Sequence, residues 1–187
     1  MSTAAPPKLL TADEFSRLPN PADGSKQELV RGVIVTMPPP GIRHGVVQTN
    51  VACLIQPYAR ANKFGVVTVE SGVITEEDPD TVRGPDVAFW GIKALPSGPV
   101  PVGYAEVPAD LVVEVVSPSD SRRKVAAKIA EYLASGSRMA WVVDPDDRTV
   151  TVYRKAGEGR LLWEDATITG EDVLPGFECR VAEFFAE

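Results

Sequence analysis

The sequence predicts an α/β or α+β fold, a mixed sheet with helices packed on it, and three observations lead there. Residues 111–116 form a nearly all-apolar run, the pattern of a strand covered on both faces. An amphipathic stretch of helical period follows at 120–135, and a second apolar run at 139–143. Upstream, short β-branched runs alternate with a further helical stretch, so neither a helical bundle nor an all-β sandwich fits.

Each element has a local reason. Thr11-Ala12-Asp13-Glu14 has the form of a capping box and opens a short helix that ends before Pro19. Residues 27–37 are rich in Val and Ile around Arg31-Gly32, which predicts a hairpin or a bent pair of strands, stopped by Pro38-Pro39-Pro40-Gly41. Between His44 and Arg60, Val47, Val51, Leu54, Ile55 and Tyr58 recur at helical spacing; this predicts a core helix whose last turn Pro57 kinks or shortens. Residues 66–69, 72–75 and 86–90 read as neighbouring strands, the last reached through a polar turn at 76–84. The proline-rich segment 93–108 lacks apolar periodicity and is expected to be a loop, either a functional arm or an insertion. Ser117 or Ser119 is the expected cap of the 120–135 helix, whose stripe is Val125, Ile129, Tyr132 and Leu133 and whose end is marked by Gly136. After the 139–143 strand, Asp144-Pro145-Asp146-Asp147 turns the chain into a strand at 149–153. Residues 161–163 add another strand, and 181–185 close with a short amphipathic helix.

Composition narrows the function. The 187 residues are 44% hydrophobic and 24% charged, which suits one domain over 1–187 with a flexible N-terminus at 1–9. A chain of this length buries roughly 70% of its unfolded surface and needs no staples. Two distant cysteines, Cys53 and Cys179, and a single histidine nearly exclude a Cys and His zinc site, and a reducing, cytoplasmic setting is expected. No run approaches the ~20 apolar residues of a membrane helix, and the first ten residues lack the basic start and apolar stretch of a secretory signal. Asp and Glu exceed Lys and Arg by 26 to 19, a net charge of -7, which counts against coating nucleic acid by bulk electrostatics but not against a local basic groove.

Glu114 stands out because it interrupts the apolar 111–116 strand, where an ionised group costs several kcal/mol unless neutralised. A salt bridge to an arginine or an exposed sheet face would also explain it. Asp86 follows Pro85 at the mouth of the 86–90 strand; alone the dipeptide reads as a turn, but beside Glu114 it completes the oxygen-rich pair that Mg²⁺ prefers. On the following helix Lys124, Lys128 and Tyr132 share a face. Lys128, set among Ala126, Ala127, Ile129 and Ala130, is placed to aim its ammonium at that pair, whereas Arg122, Arg123 and Lys124 read as a solvated basic edge or as phosphate contacts. His44 opens the second helix, where it would meet a phosphate or cap the element.

Taken in order, six motifs resemble the Uma-type putative restriction endonuclease family, a branch of the PD-(D/E)XK nuclease superfamily. They are Gln27-Glu28-Leu29-Val30-Arg31-Gly32, Arg43-His44-Gly45, Gly84-Pro85-Asp86-Val87-Ala88-Phe89, the stretch from Asp110 to Ser119, Lys128 to Tyr132, and Trp141-Val142-Val143-Asp144-Pro145. The resemblance runs from about Leu10 to Phe185. It implies a restriction-endonuclease-like fold, a mixed central sheet flanked by helices, with Asp86, Glu114 and the Val115 carbonyl as ligands of Mg²⁺, or of Mn²⁺ as a substitute. The superfamily lysine normally lies two residues after the second acid, a position held here by Val116. The resemblance maps it instead to Lys128, and makes Glu28 a further carboxylate. The implied activity is metal-dependent endonucleolytic hydrolysis of nucleic acid, double-stranded DNA in the first place, by a homodimer. Two other readings use the same residues: a non-catalytic binding module that keeps the fold, and a hydrolase of small phosphate esters.

Overall fold

The computed structural model describes residues 8–95, 100–118 and 120–187. The elements in chain order are α1 (Ala12–Ser16), β1 (Lys26–Val30), β2 (Val33–Met37), α2 (Ile42–Ala61), β3 (Gly65–Val69), β4 (Val73–Glu76), β5 (Thr81–Arg83) and β6 (Val87–Gly91). There follow β7 (Leu111–Val115), α3 (Arg122–Ala134), β8 (Met139–Asp144), β9 (Thr149–Lys155), β10 (Glu158–Trp163), β11 (Thr167–Thr169), β12 (Glu178–Arg180) and a 3₁₀ helix at Val181–Phe185.

A six-stranded sheet of order β10-β9-β8-β7-β6-β3 forms the centre. Its strands are antiparallel except for β7 and β8, the parallel pair that α3 connects. The apolar run at 111–116 foretold this centre: every residue of β7 is buried. Strand periodicity splits β7 between two cores. Leu111, Val113 and Val115 pack with Val47, Val51 and Ile55 of α2 and with Trp141, Phe177 and Phe184. Val112 packs on the other side with Ala88, Trp90, Ile129 and Tyr132, beneath α3. Glu114 has the parity of Val112 and so faces α3.

A second sheet of order β2-β1-β5-β4 is antiparallel throughout. The β1–β2 turn sets both Arg31 (φ 50°) and Gly32 (φ 76°) in the left-handed region, as a two-residue hairpin requires. One face, with Leu29 and Val82, is covered by Ala12 and Phe15 of α1, whose Thr11 and Glu14 form the expected capping box. The opposite face carries Glu28 and Arg83 towards α3. A small pair, β11 with β12, completes the strands.

Several local expectations need correction. The strand expected at 72–75 does not lie beside 66–69; it is β4, Val73–Glu76, in the second sheet, and the polar stretch 76–84 contains β5, whose Thr81 and Val82 are buried. Neighbouring turn residues masked so short a strand. α2 runs through Pro57 to Ala61, because Pro57 is on the solvent side while Ile55 and Ala59 are held in the core and the Tyr58 hydroxyl donates to the Pro175 carbonyl at 2.8 Å. α3 starts at Arg122, and Ser121, not Ser117, caps it by accepting from the Lys124 N–H; Ser119 lies outside the described residues. Of the N-terminus expected to be flexible, residues 1–7 lie outside the described residues, while the Lys8 ammonium meets Glu14. Cys53 and Cys179 are free thiols, and among the described residues no helix is long and apolar enough to cross a membrane.

Candidate active site

β6 and β7 pair with Val87 opposite Val113. The same register, continued by one pair, sets Asp86 opposite Glu114, and by one more sets Pro85 opposite Val115. Asp86 and Glu114 are 4% and 8% exposed. The Val115 N–H donates to Asp86 Oδ2 at 2.7 Å, fixing the carboxylate against the end of β7. A strand residue's N–H and C=O point to the same side, so the Val115 carbonyl also faces Asp86. Pro85 has no N–H to give that carbonyl, so the ladder stops where the carboxylates begin.

Lys128 reaches this pair from α3. Its Nζ lies 2.9 Å from Glu114 Oε2 and 2.9 Å from Glu28 Oε1. Tyr132, one turn further on, donates its hydroxyl to Glu114 Oε1 at 2.8 Å, so the helical spacing of the two residues delivers both to one carboxylate. Glu28, 2% exposed, also accepts from Arg83 Nη1 at 2.9 Å and from the Gly84 N–H at 3.1 Å. Arg83 in turn pairs with Glu131 of α3 at 2.6 Å. The second sheet is thereby tied to α3 through charges.

Asp86 has its own surroundings. His44 Nε2 lies 3.2 Å from Oδ2, and Lys26 Nζ lies 3.5 Å from Oδ1 and 2.6 Å from Glu70 Oε2. The Gln48 amide donates to both Glu70 and the Asp86 carbonyl at 2.9 Å. His44 does not cap α2, whose N-cap is Gly41; among the described residues its buried Nδ1 has no partner.

These environments drive the two acids apart. Burial pushes Glu114 up to about 7 against the pull of Lys128, with the Asp86 charge adding to the rise. For Asp86 burial acts the same way but is outweighed by the His44 hydrogen bond and the Lys26 charge, which hold it below the usual carboxylate range. Glu28 is also lowered, since Lys128 and Arg83 outweigh its burial. Lys128 is buried too, yet Glu114 and Glu28 hold its pKa above the ordinary value. Carboxylates separated in this way suit different tasks in one site.

The structure therefore brings Glu28, His44, Asp86, Glu114, Val115 and Lys128 together. Arg122, Arg123 and Lys124 stand apart, exposed on the first turn of α3. Lys26, Gln48, Glu70, Arg83 and Glu131 were not singled out from the sequence, where each reads as an ordinary charged or polar surface residue. Only strand pairing and helix docking bring them to the carboxylates.

The donors fit a hard divalent cation. Two opposed buried carboxylates and a carbonyl on the same side supply only oxygen, and Mg²⁺ takes one or two protein carboxylates with the rest of its shell water. Among the described residues no group of three His, Cys, Asp or Glu side chains forms a ready-made cage.

A mixed sheet flanked by helices, with acids at the ends of its central strands and a lysine buried against them, places this protein in the class of restriction-endonuclease-like nuclease folds. The chain belongs to the Uma2 family, described as "putative restriction endonuclease", which it matches over residues 12–182. It is similar to a crystal structure titled as a putative nuclease of DUF820 from Anabaena variabilis, with a TM-score of 0.80 and 25% identity over 94% of this chain and 97% of that one. No curated protein matches significantly.

Proposed function

We propose that this protein is a metal-dependent endonuclease that hydrolyses phosphodiester bonds of nucleic acid, with DNA as substrate. The carrying observation is the Lys128 ammonium, 2.9 Å from both Glu114 and Glu28, beside the opposed Asp86. Asp86, Glu114 and the Val115 carbonyl would hold Mg²⁺, or Mn²⁺ in its place. When bound, such an ion supplies charge for the phosphate and a more acidic water.

The protein's own groups do the positioning. An ammonium has three donors, and Glu114 and Glu28 take two of those on Lys128. The third is left for the attacking water or a phosphate oxygen, where it would offset charge gathering in the transition state. Glu28, immobilised by Arg83 and the Gly84 N–H, holds Lys128 in place, and Tyr132 does the same for Glu114. His44 orients Asp86. In-line attack then breaks the bond from phosphorus to the 3′ oxygen, leaving a 3′ hydroxyl and a 5′ phosphate. Arg122, Arg123 and Lys124 would meet flanking phosphates, and a homodimer would set two such clusters along one duplex.

Calorimetric titration of Mn²⁺ into wild type, Asp86→Asn and Glu114→Gln tests the site without knowledge of the cleavage sequence. We expect binding by wild type, its loss in both variants, and DNA cleavage that requires Asp86, Glu114 and Lys128. A wild type that binds no metal even with an oligonucleotide present would overturn the nuclease reading and leave the non-catalytic module in its place.

A further inference from the structure

Beside the carboxylates lies a cleft of about 410 Å³. Lys26, Arg83 and Gly84 line it and also belong to the ionic cluster: Lys26 touches Asp86, while Arg83 and Gly84 bond Glu28. On its aromatic side half-buried Tyr104 lines the cleft, backed by the buried Phe15 with ring centroids 5.8 Å apart at 29°. Asn20 and Gln27 add polar groups to the lining, as does Glu70, whose carboxylate is paired with Lys26 at 2.6 Å.

Tyr104 is held there deliberately by the fold. It sits in the proline-rich segment, which is clamped to β4 where Ala105 donates to the Gly72 carbonyl and accepts from Ile74, both at 2.9 Å. A Cβ at position 72 would lie 2.2 Å from the Tyr104 ring, so only glycine leaves space for that ring against the sheet. The cleft is thus a built wall joined by Lys26 to the candidate phosphate site.

We infer that this cleft receives the base and sugar of one unpaired nucleotide next to the scissile phosphate, so that the preferred DNA carries a nucleotide outside the duplex stack. This rests on the nuclease reading above. The group attached to a phosphodiester in nucleic acid is a nucleoside, and the volume is that of a small-ligand site, far too small for a base-paired helix. Unstacked bases are held by an aromatic face with polar groups at their edges, the chemistry that Tyr104, Asn20 and Gln27 supply.

The test compares a fully paired duplex, the same duplex with one unpaired nucleotide, and bis(p-nitrophenyl) phosphate, each with Mn²⁺. Wild type, Tyr104→Ala and Asn20→Trp are the enzymes; the second variant fills the cleft from an exposed rim position and spares the core if the first is poorly folded. We expect wild type to favour the unpaired substrate by about tenfold or more, the loss of one base stack. Both variants should lose that preference while cutting the fully paired duplex, which leaves the cleft empty, within about twofold of wild type, a difference too small to reflect a lost stack. Equal cutting of both DNAs, unaltered in the variants, would overturn the cleft assignment and leave the nuclease reading intact. If wild type cleaves none of the three, the nuclease reading fails, and equilibrium dialysis of metal-free protein with 5′-dAMP decides the cleft. Binding lost in both variants supports it, and absence of binding overturns it.

Discussion

At Glu114 burial, a lysine and an opposing aspartate pull against one another, and the balance is open to titration. Folding raises Glu114 from 4.5 to about 7, and raises His44 from 6.5 because the Asp86 hydrogen bond and charge outweigh its burial. A group with a raised folded pKa contributes stability below its free pKa and loses that contribution as the pH climbs through its folded one. Metal-free protein should therefore lose stability between about pH 5 and pH 8, and Glu114→Gln should remove much of the loss. Thermal denaturation in chelator across that window checks this; parallel curves for wild type and variant would refute it. Mn²⁺ should act in the opposite sense and bind more tightly as the pH rises, because its carboxylate ligands must be deprotonated. Lys128→Met should cost about 3 kcal/mol, since it strands two buried carboxylates, and denaturant unfolding at pH 8 measures it. Glu114 was visible in the sequence as a charge inside an apolar strand. Lys128 was visible too, through its apolar neighbours on the helix and through the family resemblance; the Tyr132 bond to the same carboxylate was not, because a helix face acquires its partners only from what the helix docks against.

Pro85 shows how an element's end creates the site. The β6–β7 ladder closes at Val87 and Val113, and opposite Val115 the proline withholds the next donor. Pro85→Ala should restore that donor and weaken Mn²⁺ binding by about tenfold with little change in melting temperature, measured by calorimetry and thermal denaturation on the same preparation. Unchanged affinity would show that the Val115 carbonyl plays no part. Elements with a strong periodic signal, such as α2, β7 and β8, were legible, as was the capping box at Thr11. β5 was not, because three residues between turn formers give no period to read. Lys26, Gln48, Glu70, Arg83 and Glu131 were hidden for a related reason: their pairing is long-range, and no spacing along the chain encodes it.

Over the whole molecule, a net charge of -7 means that any hold on DNA must be local. The exposed triplet Arg122, Arg123 and Lys124 is the candidate. Replacing all three with Ala should reduce the salt dependence of DNA binding by about two to three in log–log slope, as expected for three lost phosphate contacts. Fluorescence anisotropy with an Asp86→Asn background measures it without cleavage, and an unaltered slope would assign the grip to another surface. The route by which Lys128 arrives has its own consequence. It follows Glu114 by 14 residues and comes from a helix pinned to the second sheet by Glu28 and by the Arg83–Glu131 pair. A strand-borne lysine would be present as soon as its strand formed. Here a chain still emerging from synthesis, or one whose helix has come loose, has acids without their cation. The proposed activity would therefore wait until the second sheet and α3 have docked, since only then does the site hold its lysine.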